Sequence, residues 1–281
     1  MQIAIASGKG GTGKTTVSVG LAEAYAKPVV YLDCDVEEPN GAIFLKPVNT
    51  LEEPVTVLVP EVDAEKCTAC GKCSQICQFN AIITLGSKAM VFPEMCHSCG
   101  GCATICPTGA IREVDSEIGT VKRGISGEIT VFEGVLDIGH AMAPPIIRAV
   151  KKNISDDLLN IIDCPPGTSC PLLTAVKGVD FVILVTEPTP FGLHDLKLSV
   201  DTMRELKLPF GIIINRSDSG DSRVVDYCNE ENIELLLEIP ESRTIAEAYS
   251  RGESIVSSCP ELKDKLNKVL TDLMDEYGGD K

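Results

Sequence analysis

The chain has 281 residues, enough for one large α/β domain or for a medium domain carrying a smaller one, and enough to bury a sizeable core. Its 41 acidic against 25 basic residues give a net charge of −16, and with 5 Tyr, 7 Phe and no Trp it lacks the basic stripes and stacking rings that a nucleic-acid partner needs. A hydrophobic fraction of 44% excludes a largely disordered chain.

The first apolar run, Met1 to Ser7, leads directly into a glycine-rich loop with no basic segment and no small-residue cleavage site, so it does not read as a secretory signal. No apolar stretch approaches the roughly 20 residues of a membrane-spanning helix. Both features predict a cytoplasmic protein without membrane insertion. The 13 cysteines are then expected to be reduced and available as metal ligands, not paired in disulfides.

Ile3 to Ala6 reads as a strand buried on both faces. It is followed by Gly8-Lys9-Gly10-Gly11-Thr12-Gly13-Lys14-Thr15-Thr16, the phosphate-loop pattern, and then by a helical segment over Thr15 to Tyr25. Glycines at this spacing let backbone N–H groups close around phosphate oxygens at the positive end of a helix. Lys14 reaches the β and γ phosphates, and the Thr15 hydroxyl is placed for Mg²⁺. A second continuous apolar run, Val29 to Leu32, ends in Asp33-Cys34-Asp35.

From about Glu61 to Arg112 the alternation of strands and helices stops. This segment repeats itself with a shift of 29 residues: Cys67, Cys70, Cys73, Cys77, Ala81 and Ile82 recur as Cys96, Cys99, Cys102, Cys106, Ala110 and Ile111. The spacing, three cysteines two residues apart and a fourth after three more, is that of a bacterial two-cluster ferredoxin, in which the fourth cysteine of each half ligates the other half's cluster. Cys67, Cys70, Cys73 and Cys106 are therefore assigned to one 4Fe-4S cluster, and Cys96, Cys99, Cys102 and Cys77 to a second. Structural zinc, the competing reading, usually pairs two Cys-x2-Cys knuckles across a longer spacer. Gln78 stands where a proline would follow the fourth cysteine, as Pro107 does in the second half. His97 is read as a surface or supporting residue, not a ligand. Residues 61–112 are thus expected to form a small α+β module inserted into an α/β domain made of residues 1–60 and 113–281.

After the insert, Gly119 to Phe132 reads as a hairpin. Leu158 to Ile162 reads as a strand ending in Asp163-Cys164-Pro165-Pro166-Gly167, with Asp163 the natural metal-side acid. Strands over Phe181 to Val185, Gly211 to Ile214 and Leu235 to Ile239 alternate with helices over Leu193 to Leu206, Ser222 to Glu231 and Glu261 to Tyr277. This order predicts a doubly wound, mainly parallel sheet. Cys34, Cys164, Cys170, Cys228 and Cys259 read as small apolar packing residues, and His140 and His194 as structural. A weaker alternative puts Cys170 at a dimer interface, where it receives a transient metal or cluster.

The string Lys9-Gly10-Gly11-Thr12-Gly13-Lys14-Thr15-Thr16 resembles the deviant Walker A motif of the MinD, ParA and Mrp class of P-loop ATPases, and the whole chain resembles the MinD-superfamily ATPases with an inserted ferredoxin domain. The resemblance implies a homodimer that binds ATP or ADP with Mg²⁺, in which Lys9 reaches the partner's nucleotide. It implies that Asp35 and Asn40 orient the attacking water, that Asp163 and Gly167 form Walker B and switch II, and that Asn215, Arg216, Pro240 and Glu241 wall the adenine pocket. The expected partners are redox proteins or iron-sulfur or molybdenum-type cofactor-assembly proteins. The leading reading is an ATPase that couples nucleotide state to ferredoxin-type electron transfer. An ATP-gated iron-sulfur assembly factor or carrier comes second, and a MinD- or ParA-like positioning ATPase last, since that role needs a basic tail or surface. A simple electron carrier with a vestigial ATPase domain is disfavoured because Lys9, Lys14, Thr15, Asp35 and Asp163 are all intact.

Overall fold

A computed structural model describes residues 1–279. The element order is β1 (Gln2–Ala6), α1 (Lys14–Ala24), β2 (Val29–Asp33), α2 (Gly41–Leu45), β3 (Val48–Val62), α3 (Lys72–Ile76), β4 (Ile82–Leu85), β5 (Lys88–Val91), α4 (Gly101–Ile105), β6 (Ile111–Ser126) and β7 (Ile129–Leu136). It continues with α5 (Ala143–Lys151), β8 (Leu159–Asp163), α6 (Cys170–Val176), β9 (Phe181–Thr186), α7 (Pro190–Leu206), β10 (Phe210–Asn215), α8 (Arg223–Glu230), β11 (Leu235–Ile239), α9 (Arg243–Ser250), α10 (Ile255–Ser258) and α11 (Glu261–Tyr277).

One nine-stranded sheet runs β11-β10-β9-β1-β8-β2-β7-β6-β3. From β11 to β7 every neighbouring pair is parallel, whereas β6 lies antiparallel to both β7 and β3. The central strands are apolar throughout because both faces are covered. One face packs Ala4, Leu32, Ile162 and Leu184 against α5 to α8; the other packs Ile3, Ile5, Ile161 and Ile183 against α1, α10 and α11. This is the doubly wound, mainly parallel architecture that the alternating runs predict. The connections also bring the carboxyl ends of β1, β2 and β8 side by side, where ligands bind in open α/β sheets.

The hairpin expected at Gly119 to Phe132 is present but longer: β6 starts at Ile111, the turn carries Gly127 at φ 57°, and β7 runs to Leu136. Its partner β3 has no clear strand signal in the sequence. Pro54, Pro60 and the exposed Glu52 and Glu53 interrupt the apolar pattern, and Asn49 takes φ 56° beside an irregular pairing. An edge strand tolerates these residues because its outer N–H groups have no ladder partner to lose. Cys34, Cys164 and Cys228 are buried and pack in the core, Cys259 is half-buried and Cys170 is exposed. Among the described residues no helix is long and apolar enough to cross a membrane.

Candidate functional site

Gly8 to Thr16 span the turn after β1 and the first residues of α1. Gly13, just before the helix, adopts φ 94°, and a Cβ there would lie 2.3 Å from Asn215 Nδ2, so both backbone conformation and space demand glycine. Asn215, at the end of β10, donates from Nδ2 to the carbonyl of Thr12 at 2.9 Å. The residue expected to read a base thus also fixes the loop. Gly167, at φ 86°, donates its N–H to Ser7 O at 3.0 Å and anchors the loop's other end.

Lys14 is buried, and its Nζ lies 3.9 Å from Asp35 Oδ2. Asp163, on β8, and Asp33, its register partner on β2, are both fully buried. Asp33 accepts the N–H groups of Asp35 (3.1 Å), Asn40 (3.2 Å) and Gly41 (2.9 Å), so one carboxylate gathers the whole segment from Asp35 to α2. Asp163 Oδ2 accepts from the Tyr31 hydroxyl at 3.0 Å, and that hydroxyl lies 3.0 Å from Ser18 Oγ. Asp163 Oδ1 is buried and has no hydrogen-bond partner among the described residues. A buried, unpartnered carboxylate oxygen beside Thr15 and Lys14 suits a Mg²⁺ coordination shell, in which an anionic oxygen replaces lost water.

Burial raises all three carboxyls above the usual range. Asp33 is pushed well up by desolvation and by repulsion from Asp163; desolvation also raises Asp163, with Lys14 pulling the other way. Asp35 is pushed up to about 7, chiefly by desolvation, with Lys14 opposing and Asp163 and Glu38 adding to the rise. A cation bound here would relieve all three at once.

The cavity over the loop occupies about 1720 Å³, counted to its open mouth. It brings together Gly10, Gly11, Gly13, Lys14, Thr15, Thr16, Asp35 and Asn40 with Asn215, Arg216, Pro240 and Glu241. Gly8 packs against α7, Thr12 is buried under the loop, and Lys9 points elsewhere, its Nζ 3.8 Å from Glu187 Oε2. Sequence reasoning missed several contributors. Ile245 and Tyr249 of α9 also line the cavity, Asp33 holds the Asp35 to Gly41 segment, and Tyr31 and Ser18 back Asp163. Glu187 also has a place in the site, since it pairs with Arg216 (Nη1 to Oε1, 2.7 Å) as well as with Lys9. The acidic end of β9, Thr186-Glu187-Pro188, was a visible signal for it.

The eight repeated cysteines occupy the segment between β3 and β6. Its two halves share backbone as well as sequence. Left-handed residues recur 29 positions apart, Ala69 with Ser98, Gly71 with Gly100 and Asn80 with Gly109, and α3 recurs as α4. The halves also exchange equivalent hydrogen bonds: Asp63 N–H to Ala110 O at 2.7 Å and Phe92 N–H to Ala81 O at 2.8 Å. This crossing carries the fourth cysteine of each half to the other. Cys67, Cys70, Cys73 and Cys106 line one cavity of about 340 Å³, and Cys77, Cys96, Cys99 and Cys102 line another of about 450 Å³, each counted with its opening.

Among the described residues no three His, Cys, Asp or Glu side chains are placed to hold a single metal ion. Four cysteines around each cavity fit the ligand set of a 4Fe-4S cluster, in which each iron takes one thiolate. Backbone donors also face sulfur, from Ala110 N–H to Cys106 Sγ at 3.3 Å and from Ser98 N–H to Cys96 Sγ at 3.4 Å. Burial raises the Cys96 and Cys102 thiols. At Cys106 burial is outweighed by donors from Thr108, Ala110 and Ile111, and the thiol falls below its ordinary range. His97 is exposed and stacks on Phe79, with ring centroids 3.5 Å apart.

Strand, glycine loop, helix and strand-end carboxylates on a parallel sheet define a P-loop ATPase. The chain belongs to the CobQ/CobB/MinD/ParA nucleotide binding domain family, whose model matches residues 3–255. It is similar to an uncharacterised protein of Methanocaldococcus jannaschii, 37% identical over 77% of this chain and 78% of that protein. It is also similar to the iron-sulfur cluster carrier protein of Pyrococcus horikoshii, 26% identical over 99% of this chain and 89% of the relative. Among solved structures, the cell division ATPase MinD of Pyrococcus furiosus superposes with a TM-score of 0.60 at 23% identity, covering 97% of this chain and 98% of that one, a likeness of fold.

Proposed function

We propose that the chain is an ATP-hydrolysing homodimer whose nucleotide state governs an inserted ferredoxin-like module, residues 61–112, and that this module passes electrons to a redox or metallocofactor-assembly partner. The observation that carries the reading is a short route of two backbone hydrogen bonds and connecting chain from the nucleotide site to the cysteines. Val36, next to Asp35, accepts the N–H of Leu136 at the end of β7 (2.8 Å), and Asp137 donates to Ile118 of β6 (3.0 Å). β6 then leads back to Ile111, which lines the Cys106 cavity. In this reading the segment from Asp35 to Gly41 rearranges with the γ-phosphate, and Val36 passes that movement to the strand that roots the module.

In this reading Lys14 and the loop N–H groups hold the phosphates, and Thr15 and Asp163 hold Mg²⁺. Asp35 and Asn40 orient the attacking water, and Lys9 acts on the nucleotide of the second subunit. Asn215, Arg216, Pro240 and Glu241 receive the base. Cys67, Cys70, Cys73 and Cys106 hold one 4Fe-4S cluster, and Cys96, Cys99, Cys102 and Cys77 hold the other. Such clusters, when bound, supply one-electron chemistry whose potential depends on hydrogen bonds to sulfur and on exposure.

A second reading, an ATP-gated iron-sulfur carrier, is favoured by relatives named iron-sulfur cluster carrier proteins that match almost the whole chain. It expects labile iron beyond the eight atoms of two cubes. A positioning ATPase comes last: the MinD likeness is one of fold, and the chain carries a net charge of −16.

The test is an anaerobic EPR redox titration of the purified protein without nucleotide, with Mg-ADP and with a non-hydrolysable Mg-ATP analogue. A nucleotide-dependent potential or line shape is expected, because linked sites must shift one another. Unchanged spectra while the analogue binds would overturn the coupling and turn attention to iron transfer into an apo-acceptor.

A further inference from the structure

Glu187 stands between two cations, Arg216 on the wall of the nucleotide cavity and Lys9 outside it. It follows β9, it is nine-tenths buried, and its two carboxylate oxygens are divided between Lys9 (3.8 Å) and Arg216 (2.7 Å). Its backbone is stiff: Pro188 and Pro190 flank Thr189, Thr189 donates its N–H to Glu187 O at 2.8 Å, and the Thr189 side chain caps α7 by accepting from Gly192 N–H at 3.0 Å. Two prolines and a cap leave the carboxylate little freedom to follow a moving partner.

Lys9 keeps only 33% of its side chain exposed. An ammonium that serves a second subunit's phosphate must first leave this carboxylate. Arg216 stays with Glu187 at 2.7 Å, but losing Lys9 removes one of two cations from a nearly buried carboxylate, so the departure costs free energy until a stronger anion competes.

We propose that Glu187 is a positioning residue that holds Lys9 on its own subunit in the nucleotide-free protein and so restrains premature pairing of two subunits. The proposal rests on the dimeric reading above, in which Lys9 acts across the interface. The triphosphate of a second subunit is the anion that takes Lys9 away, while Arg216 remains to neutralise Glu187. The pair thus sets how much nucleotide the dimer requires and takes no part in the cleavage itself.

The test uses the intact, cluster-loaded protein and Glu187→Gln, which keeps the shape and the contact to Arg216 but removes the charge. In nucleotide-free protein, labelling of the Lys9 amine by an acylating reagent, read by mass spectrometry, is expected to rise roughly three- to tenfold, the range for loss of a partly buried ion pair. Sedimentation with a non-hydrolysable ATP analogue should show the dimer dissociation constant falling by a similar factor. That gain should vanish when Lys9→Ala is combined with Glu187→Gln. Glu187→Asp, which keeps the charge but withdraws it, should give a smaller change in the same direction. Unchanged Lys9 labelling in a protein that still dimerises would overturn the restraint alone. Increased labelling with a weaker dimer would mean that Glu187 presents Lys9 to the partner, and would also overturn it. A wild-type protein that stays monomeric with the analogue would remove the dimeric reading and the restraint's role with it.

Discussion

The Tyr31 hydroxyl donates to Asp163 Oδ2 at 3.0 Å from the neighbouring strand, at a point with no solvent exposure. The same hydroxyl meets Ser18 of α1, so strand β2, strand β8 and the first helix are pinned together directly behind the loop. With Oδ2 held there, Oδ1 is the free oxygen, and it is this oxygen that suits Mg²⁺.

Tyr31→Phe should therefore have two separable effects. Removing the hydroxyl leaves Ser18 and Asp163 short of a buried partner, which should cost about 1–3 kcal/mol in chemical denaturation. It should also weaken Mg-nucleotide binding several-fold more than binding of the nucleotide without Mg²⁺, because Asp163 loses its orientation. Equal losses with and without Mg²⁺ would mean that the hydroxyl is structural only.

Asp35 offers a pH signature. Its carboxyl is raised to about 7, mainly by burial, so between its ordinary range and pH 7 the folded protein holds a proton that the unfolded chain has released. Stability from this group falls as pH rises through that window. Asp35→Asn lacks the slope, so the stability of the variant relative to wild type should improve by roughly 1–3 kcal/mol between pH 5 and pH 8. Denaturation at the two pH values checks this; a constant difference would place the Asp35 titration below the window.

How much of this was legible beforehand depends on how local the chemistry is. The loop from Gly8 to Thr16 announces itself because every group that faces phosphate lies within one turn. The cysteine repeat does so because the ligand spacing recurs with a 29-residue shift, whereas the left-handed turns at Ala69 and Ser98 are not announced by their residue types. Tyr31 was read simply as part of an apolar strand, since nothing in Val29-Val30-Tyr31-Leu32 reveals that β8 will present Asp163 beside it. Asn215 reaches the carbonyl of Thr12 across 203 positions, and Glu187 finds Lys9 across a comparable gap. Such partners are set by the order of strands in the sheet, which periodicity does not encode. β3 stayed hidden for the opposite reason, since its prolines and acids are permitted only because it is an edge.

The crossed cluster assignment can be separated from closure within each half by pairs of substitutions. Cys67 and Cys106 line one cavity and Cys96 lines the other. Cys67→Ser with Cys106→Ser should abolish one cluster and leave about four iron atoms per chain. Cys96→Ser with Cys106→Ser should strike both clusters and leave close to none. Closure within each half gives the reverse pattern, and iron analysis with EPR of the reduced proteins distinguishes the two.

The two loop lysines should fail in different ways. Lys14 is buried against Asp35 beneath the cavity, so Lys14→Ala removes the charge that faces the phosphates and leaves three acidic groups around them. ATP affinity should fall by on the order of a hundredfold or more, as expected when a desolvated charge loses its partner. Lys9 lies outside the cavity against Glu187, so Lys9→Ala removes no group that lines the cavity and should leave the affinity of a single subunit for ATP within about a factor of three. Its loss should appear instead in the concentration dependence. Wild-type ATPase activity per subunit should rise with protein concentration as dimers form, whereas Lys9→Ala should stay at the low basal rate throughout. Mixing Lys9→Ala with Lys14→Ala sharpens the comparison, because only the Lys9→Ala subunit binds ATP and only its Lys14→Ala partner can offer a Lys9. Restored hydrolysis in the mixture is the expected result, and a Lys9→Ala protein that hydrolyses normally on its own would end the assignment across the interface.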